Sequence, residues 1–269
     1  MKSQTPLVSV IMAEYNTNID LLKESIESIL NQSYDNFEFI IIDDCGENNV
    51  EKIVNKYNDS RIKVYKNPEN KGLVYSLNVA LSKSKGKYIA RMDTDDYSYK
   101  NRLKLEVEYL EEHSNIDLIG GRADFYDGDK IWGESKFSGI ITKKIMLSSS
   151  PIIHPSVMFK KSTMDKIGGY LNYKRCEDYA TWIEFFVNGY KMEVIPEKLI
   201  RYHLSINDYK KRTIKTRKGF FLMLKEEYKK LKPTKFQYFK IYIKSYIAGL
   251  MPWRLMYIYH KRKARWFYV

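Results

Sequence analysis

Lys87-Tyr88-Ile89-Ala90-Arg91-Met92-Asp93-Thr94-Asp95-Asp96 is the stretch that decides how this chain is read. Gly86 restarts the chain, residues 87–92 read as a short buried strand, and three carboxylates follow within four residues. Like charges that close repel one another unless a cation or a basic group compensates. Oxygen-only donors suit Mg²⁺ or Mn²⁺, which take a few carboxylates plus substrate phosphates. A metal held there neutralises a diphosphate leaving group. The plain alternative is an acidic loop before a helix starting near Ser98, where acids favour the helix dipole. Asp-x-Asp alone is a weak signal, and its weight comes from what precedes it.

Working back towards the amino terminus, Leu7-Val8-Ser9-Val10-Ile11-Met12 is apolar and rich in β-branched residues, as a buried strand is. Residues 18–32 place Leu22, Ile26, Ile29 and Leu30 at helical spacing. Residues 37–42 form a second buried strand that ends in Asp43-Asp44. Val50, Ile53, Val54 and Tyr57 mark a helix, residues 61–65 a third strand, and Leu73, Leu77, Ala80 and Leu81 another helix. The fourth strand is the opening stretch itself. This βαβαβαβ order predicts a parallel sheet with right-handed crossovers.

Beyond Asp96 the order changes. Residues 101–113 read as a helix with Leu103, Val107 and Leu110 on one face. Residues 118–126 read as a strand before an Asp127-Gly128 turn. Residues 152–159 are a strand candidate and 179–187 an amphipathic helix. Residues 191–195 and 199–203 read as two strands around Pro196. No internal repeat or low-complexity linker interrupts this pattern. The expected organisation is one α/β domain over residues 1–207, made of two halves at 1–96 and 97–207. A basic, aromatic helical tail follows at 208–269.

The polar residues gather at the carboxyl ends of the expected parallel strands: Ala13-Glu14-Tyr15-Asn16, Asp43-Asp44 and Arg91 to Asp96. Open α/β sheets bind ligands outside those ends, near the topological switch point. Segments far apart in sequence are therefore expected to meet in one crevice. Turn and helix-cap chemistry accounts for one or two such acids, but less well for four or five.

The ordered set of motifs resembles glycosyltransferase family 2. Val8-Ser9-Val10-Ile11-Met12 with Tyr15-Asn16, Ser25-Ile26-Glu27-Ser28-Ile29-Leu30-Asn31-Gln32-Ser33-Tyr34 and Phe37-Glu38-Phe39-Ile40-Ile41-Ile42-Asp43-Asp44 look like its amino-terminal half. Asn70-Lys71-Gly72-Leu73, Ala90 to Asp96, His154-Pro155-Ser156-Val157-Met158-Phe159, Gly168-Gly169-Tyr170 and Glu177-Asp178-Tyr179 continue it in order to about residue 205. The resemblance implies a GT-A fold and an inverting mechanism. It implies that Ala13, Glu14, Tyr15 and Asn16 line a nucleotide pocket and that Asp44 accepts a hydrogen bond from the uracil of a UDP donor. Lys71 and Arg91 fall in motifs of the donor-binding half. Asp93 and Asp95 match the family's Asp-x-Asp, with Asp95 and Asp96 sharing the ribose and metal contacts; which of them ligates stays open.

Asp178 matches the family's catalytic base, with Glu177 beside it. A helix-capping role for Asp178 is compatible with that one. His154 either faces the donor diphosphate or sits in the core. Family members often carry Tyr-Arg-x-His where this chain has Arg201-Tyr202-His203, so His203 is a candidate third metal ligand on a departing motif. Ala13-Glu14 stands where proline and a small apolar residue are frequent, and Cys45-Gly46 replaces a common Gly-Ser turn.

Composition narrows the partners. The chain has 269 residues, 44% hydrophobic and 29% charged, which fits a globular protein with an ample core rather than long disorder. Two cysteines are too few for a disulfide framework, and no Cys/His cluster has zinc spacing. The amino terminus lacks a signal-peptide pattern, so a cytoplasmic protein is expected. Net charge is +13, but residues 208–269 hold eighteen Lys and Arg against three acids, leaving the body slightly acidic. An anionic membrane surface at the inner face of the cell membrane is the expected partner of that tail, whose Trp253, Trp266, Tyr and Phe interleave with the charges. Its longest uncharged run, residues 245–253, is far short of the ~20 needed to span a bilayer. A helical pair packed on the main domain is the alternative. Nucleic acid is not expected, since no recognition motif accompanies the charge.

The implied substrates are a nucleotide-sugar donor, a UDP-hexose or UDP-N-acetylhexosamine, and a lipid-linked saccharide acceptor of a bacterial polysaccharide or glycolipid. Competing enzyme readings fare worse. A nucleotidyltransferase or Rossmann dehydrogenase lacks its glycine-rich loop here, and a haloacid-dehalogenase phosphatase carries Asp-x-Asp after its first strand. The non-enzymatic alternative is a basic peripheral membrane or nucleic-acid-binding protein whose acids are only turns.

Overall fold

The computed structural model describes residues 5–266. The first elements are β1 (Val8–Glu14), α1 (Ile19–Leu30), β2 (Phe37–Asp43), α2 (Val50–Val54), β3 (Ile62–Lys66), α3 (Leu73–Lys83) and β4 (Tyr88–Arg91). β1 pairs in parallel with β2 and with β4, and β2 pairs in parallel with β3. The strand order of this half is 3-2-1-4, so the order reverses between β1 and β4. A strand sends successive side chains to opposite faces. Accordingly Val8, Val10 and Met12 of β1 and Phe37, Phe39 and Ile41 of β2 join one buried cluster. Ile11, Ile40 and Ile42 join the other. Helix α1 buries Leu22, Ile26 and Ile29 against the first face, and α3 buries Leu77, Ala80 and Leu81 against the second. Asn18 caps α1, its Oδ1 accepting from the N–H groups of Asp20 and Leu21.

The second half extends the same sheet with β5 (Tyr97–Ser98), α4 (Arg102–Glu112), β6 (Leu118–Asp127), β7 (Lys130–Glu134), β8 (Gly139–Ile140), α5 (Lys143–Met146), β9 (Met158–Lys160), α6 (Lys161–Ile167), α7 (Glu177–Val187) and β10 (Met192–His203). The path through the sheet is β3-β2-β1-β4-β9-β6-β10-β5, with β7 beside β6 and β8 beside β10. Two expectations change here. Residues 152–159 are not one strand: His154–Ser156 is a single 3₁₀ turn and only Met158–Lys160 pairs. Pro155 has no N–H for a ladder, and Ser156 Oγ spends its bonds on the backbone of Gly121 and Ile153. Conversely, Pro196 does not split two strands. β10 runs through it, and its register against β6 shifts between Val194 and Lys198, where the missing N–H falls in a bulge.

After β10 come α8 (Ile206–Lys210), α9 (Lys218–Glu226), α10 (Lys235–Leu250) and α11 (Trp253–Trp266). This part packs on the body. Met223, Leu224, Tyr228, Leu231 and Ile241 join the same buried cluster as α3 and α7. Met256 of α11 and Tyr209 of α8 bury against Phe125 of β6 and Trp132 of β7. The approach of α9 needs a glycine, because a Cβ on Gly219 would lie 2.2 Å from the Lys174 carbonyl oxygen. The described tail residues thus adopt the packed arrangement, and they also leave a row of apolar side chains on α10 in water.

Candidate active site

The acidic stretch after β4 is held by four elements and the β1–α1 loop. Ser25 Oγ on α1 donates to the Asp93 carbonyl at 2.7 Å. The hydroxyls of Thr17 and Thr94 meet at 2.6 Å. Tyr126 O–H on β6 donates to the Asp95 carbonyl at 2.7 Å. The His203 backbone N–H on β10 donates to Asp96 Oδ1 at 2.7 Å, and His203 Nδ1 lies 3.3 Å from Asp95 Oδ2. Arg91, on β4 itself, forms an ion pair with Asp93. These bonds tie the stretch to both halves of the sheet.

Oxygen atoms of Asp93, Asp95 and Asp96 lie within 4.8 Å of one another, a group able to hold a cation. Asp96 is buried, and its Oδ2 has no hydrogen-bond partner among the described residues. Burial and then the neighbouring Asp93 and Asp95 push its carboxyl well above the usual range. Burial also raises Asp93, against the pull of Arg91 and with further push from Asp95 and Asp178. Asp95 is the open member, with its side chain 42% exposed. The Asp95 carboxylate raises the pKa of His203. Three acids with an unpaired buried oxygen, a histidine and only one ion-paired arginine make a donor set that fits a hard divalent cation.

Asp178 is in the first turn of α7, where the helix dipole favours an acid. The cap position itself falls to Cys176, which makes no side-chain cap bond. Asp178 Oδ2 accepts from Ser150 Oγ at 3.1 Å. Burial raises Asp178, while the Ser150 bond and Arg91 pull it down. Asp178 also adds to the push on the Asp93 carboxyl, so the two acids lie within electrostatic reach of each other. Glu177 beside it is pushed up to about 7 by burial and by Asp178. The loop that carries Ser150 is pinned from two sides: Tyr179 O–H donates to the Met146 carbonyl, and Tyr228 O–H to the Leu147 carbonyl at 2.9 Å.

The ends of β1 and β2 form the other wall. Glu14 Oε1 accepts from the Thr17 N–H at 3.0 Å and from Asn48 Nδ2 at 2.6 Å, and burial raises its pKa. Asn16 adopts φ +55° and its Oδ1 accepts from the Glu47 N–H. Ala13 is half-buried and the Tyr15 ring is 51% exposed at the rim. Asp44 is buried and accepts from Asn67 Nδ2 at 2.7 Å and from the N–H groups of Lys71 at 2.9 Å and Gly72 at 2.8 Å. Lys71 contributes its backbone there, whereas its side chain pairs with Glu69 in solvent. The Thr17–Thr94 contact joins this wall to the acidic stretch.

His154 is enclosed by Tyr170 and Trp182, with Nε2 3.2 Å from the Tyr170 hydroxyl. Burial, then Arg91, hold its pKa well below normal, so the ring is neutral. Sequence reasoning missed Ser25, Thr17, Tyr126 and Ser150. Ser25 lay inside a quoted motif, but nothing local marked the other three.

Known proteins resemble this chain in sequence and in fold. The family described as Glycosyl transferase family 2 matches residues 9–171. Putative glycosyltransferase EpsE of Bacillus subtilis (strain 168) is 34% identical, covering 96% of this chain and 95% of its own. The Escherichia coli protein UDP-Glc:alpha-D-GlcNAc-diphosphoundecaprenol beta-1,3-glucosyltransferase WfaP is 33% identical over 69% of this chain and 72% of its own. Among solved structures, S. aureus TarS 1-349 in complex with UDP-GlcNAc superposes with a TM-score of 0.63 at 23% identity, over 74% of this chain. The chain spans 58% of that structure's length. The likeness is one of fold, and the fold is GT-A. With the family matched over residues 9–171 and a relative aligned over 96% of the chain, this chain belongs to glycosyl transferase family 2.

Proposed function

We propose that the chain is a metal-assisted, inverting glycosyltransferase. It moves a hexose or N-acetylhexosamine from a UDP-sugar to a hydroxyl of a lipid-linked saccharide at an anionic membrane surface. The observation that carries this reading is Asp178, a carboxylate held by Ser150, within electrostatic reach of the acidic group of Asp93, Asp95 and Asp96. The name of the relative WfaP gives a saccharide on diphosphoundecaprenol as its acceptor, and TarS is solved in complex with UDP-GlcNAc. Both support the choice of substrates.

In this reading Ala13, Glu14, Tyr15 and Asn16 line the nucleotide pocket and Tyr15 supplies a ring face at its rim. Asp44 already accepts three hydrogen bonds. An ionised carboxylate has about four lone-pair sites, which leaves one for the uracil N–H. Asp93 is held by Arg91, and Asp95, Asp96 and His203 would hold the Mn²⁺ or Mg²⁺. When bound, that cation would supply charge neutralisation on the departing diphosphate. Asp178 takes the proton from the acceptor hydroxyl as its oxygen bonds the anomeric carbon. The bond from that carbon to the phosphate oxygen breaks on the opposite face, and UDP leaves with the electron pair. General base catalysis of this kind contributes roughly 10² to 10⁴ in rate.

The tail reading rests on charge and aromatic content. No helix among the described residues is long and apolar enough to cross a membrane.

The test is UDP release across a set of nucleotide sugars, with Mn²⁺ and after chelation. Turnover is expected with a UDP-sugar and is expected to vanish on chelation; no turnover with any nucleotide sugar would sink the reading. The pH profile adds a sharper check. The base acts deprotonated, so activity falls as pH drops through its pKa. Ser150 donates a bond that lowers the Asp178 pKa. Ser150→Ala is therefore expected to move the acid limb of kcat/KM to higher pH and to spare the alkaline plateau. An unmoved limb would detach Asp178 from the base role.

A further inference from the structure

A groove of about 600 Å³ opens where the chain turns into α10, lined by Lys229, Lys232, Lys235, Tyr238, Phe239 and Tyr242 among others. The turn is stiff. Lys232 adopts φ +51°, Pro233 follows it, and Thr234 caps α10 in a reciprocal box with Gln237. Lys229, Lys232 and Lys235 have no carboxylate within ion-pair distance among the described residues. Lys230, between them, is paired with Glu184 at 2.6 Å and Glu227 at 2.7 Å. The fold supplies acids to the lysine facing the body and none to the three around the groove.

The groove continues into an apolar ridge. Helix α10 docks through Ile241, Ser245 and Gly249, and Ser245 Oγ accepts from Arg217 at 2.9 Å. The side chains away from that seam are Phe236, Phe239, Tyr246, Ile247 and Leu250, and all are exposed, Phe236 to 74%. Exposed apolar side chains in a row are unusual on a surface that meets only water.

We propose that the groove and ridge form a docking site for anionic phospholipid, with the lysines on the phosphate of a headgroup and the ridge among the upper acyl chains. This rests on the membrane reading above and gives that reading a place on the molecule. Charge complementarity and the adjoining apolar row select the occupant. A bilayer surface satisfies both together. A nucleic acid would engage the lysines and leave Ile247 and Leu250 in water.

The experiment is co-sedimentation of the full chain with phosphatidylcholine vesicles, with and without phosphatidylglycerol. Lys229→Gln/Lys232→Gln/Lys235→Gln is compared with Lys215→Gln/Lys218→Gln/Lys225→Gln, which removes the same charge elsewhere on the tail. All six lysines are exposed, and unchanged thermal melting checks the fold. The full chain is expected to prefer the anionic vesicles. The groove variant is expected to lose on the order of a hundredfold in partitioning, about fivefold per lysine at the surface, and the control far less. Phe236→Ser/Phe239→Ser is expected to abolish the binding that survives high salt. Equal losses in the two lysine variants would overturn the groove while leaving surface attraction by net charge. No binding of the full chain would overturn both the groove and the membrane reading.

Discussion

Asp178→Asn is expected to lower sugar transfer by at least about 10² while leaving folding and UDP binding intact. The amide keeps the side-chain shape, and its oxygen still accepts from Ser150 Oγ, which now donates at 3.1 Å. It cannot take a proton from an acceptor hydroxyl. Burial disfavours the Asp178 charge, so removing that charge relieves a cost and gives no reason for the fold to weaken. Thermal melting, UDP titration and single-turnover transfer separate these effects. Near-normal turnover with a lowered melting temperature would make Asp178 a first-turn helix acid and nothing more. Glu177 is the control. It shares the buried site and is pushed up to about 7, but it is not assigned the proton transfer.

Asp95→Ala is expected to abolish transfer and to weaken Mn²⁺-dependent UDP binding by about tenfold or more, since even outer-shell partners of a metal cost about 10- to 100-fold. The position suits such a test, because the Asp95 side chain is 42% exposed and its backbone is held by Tyr126. The fold should not notice the change. His203 loses the partner that raises its pKa, so its charge at neutral pH should fall as well. UDP titration with Mn²⁺ and with chelator measures the effect. Transfer that persists undiminished would remove the acidic group from metal binding. Asp96 is less informative as a first target, since it also bonds the His203 backbone from a buried position.

Much of the first half of the sheet was legible in the sequence. The apolar runs Val8 to Met12 and Phe37 to Ile42 read as strands buried on both faces, and a strand sends alternate side chains to opposite faces. Those residues do divide between the two buried clusters. Acids at the ends of apolar runs signalled a crevice beyond β1, β2 and β4 for the same reason: strand direction puts their carboxyl ends together. Short pairings such as Tyr97–Ser98 and Gly139–Ile140 were invisible, since two residues have no period. Pro196 misled because proline was read as a strand end, whereas register with β6 decided otherwise.

What the sequence determined by itself is the family, the parallel βα order and the list of carboxylates. These follow from local periodicity and from motif order, which need no knowledge of distant residues. Only the tertiary structure decided that His203 lies against Asp95 and Asp96, more than a hundred positions away, and that Ser150 bonds Asp178. Only it decided that the tail packs on α7 and β7 while the Phe236 to Leu250 row stays in water. Those contacts depend on sheet register and on which helix face finds a buried partner. A basic aromatic segment has apolar residues enough for two faces, and the geometry of the body selects which one is buried.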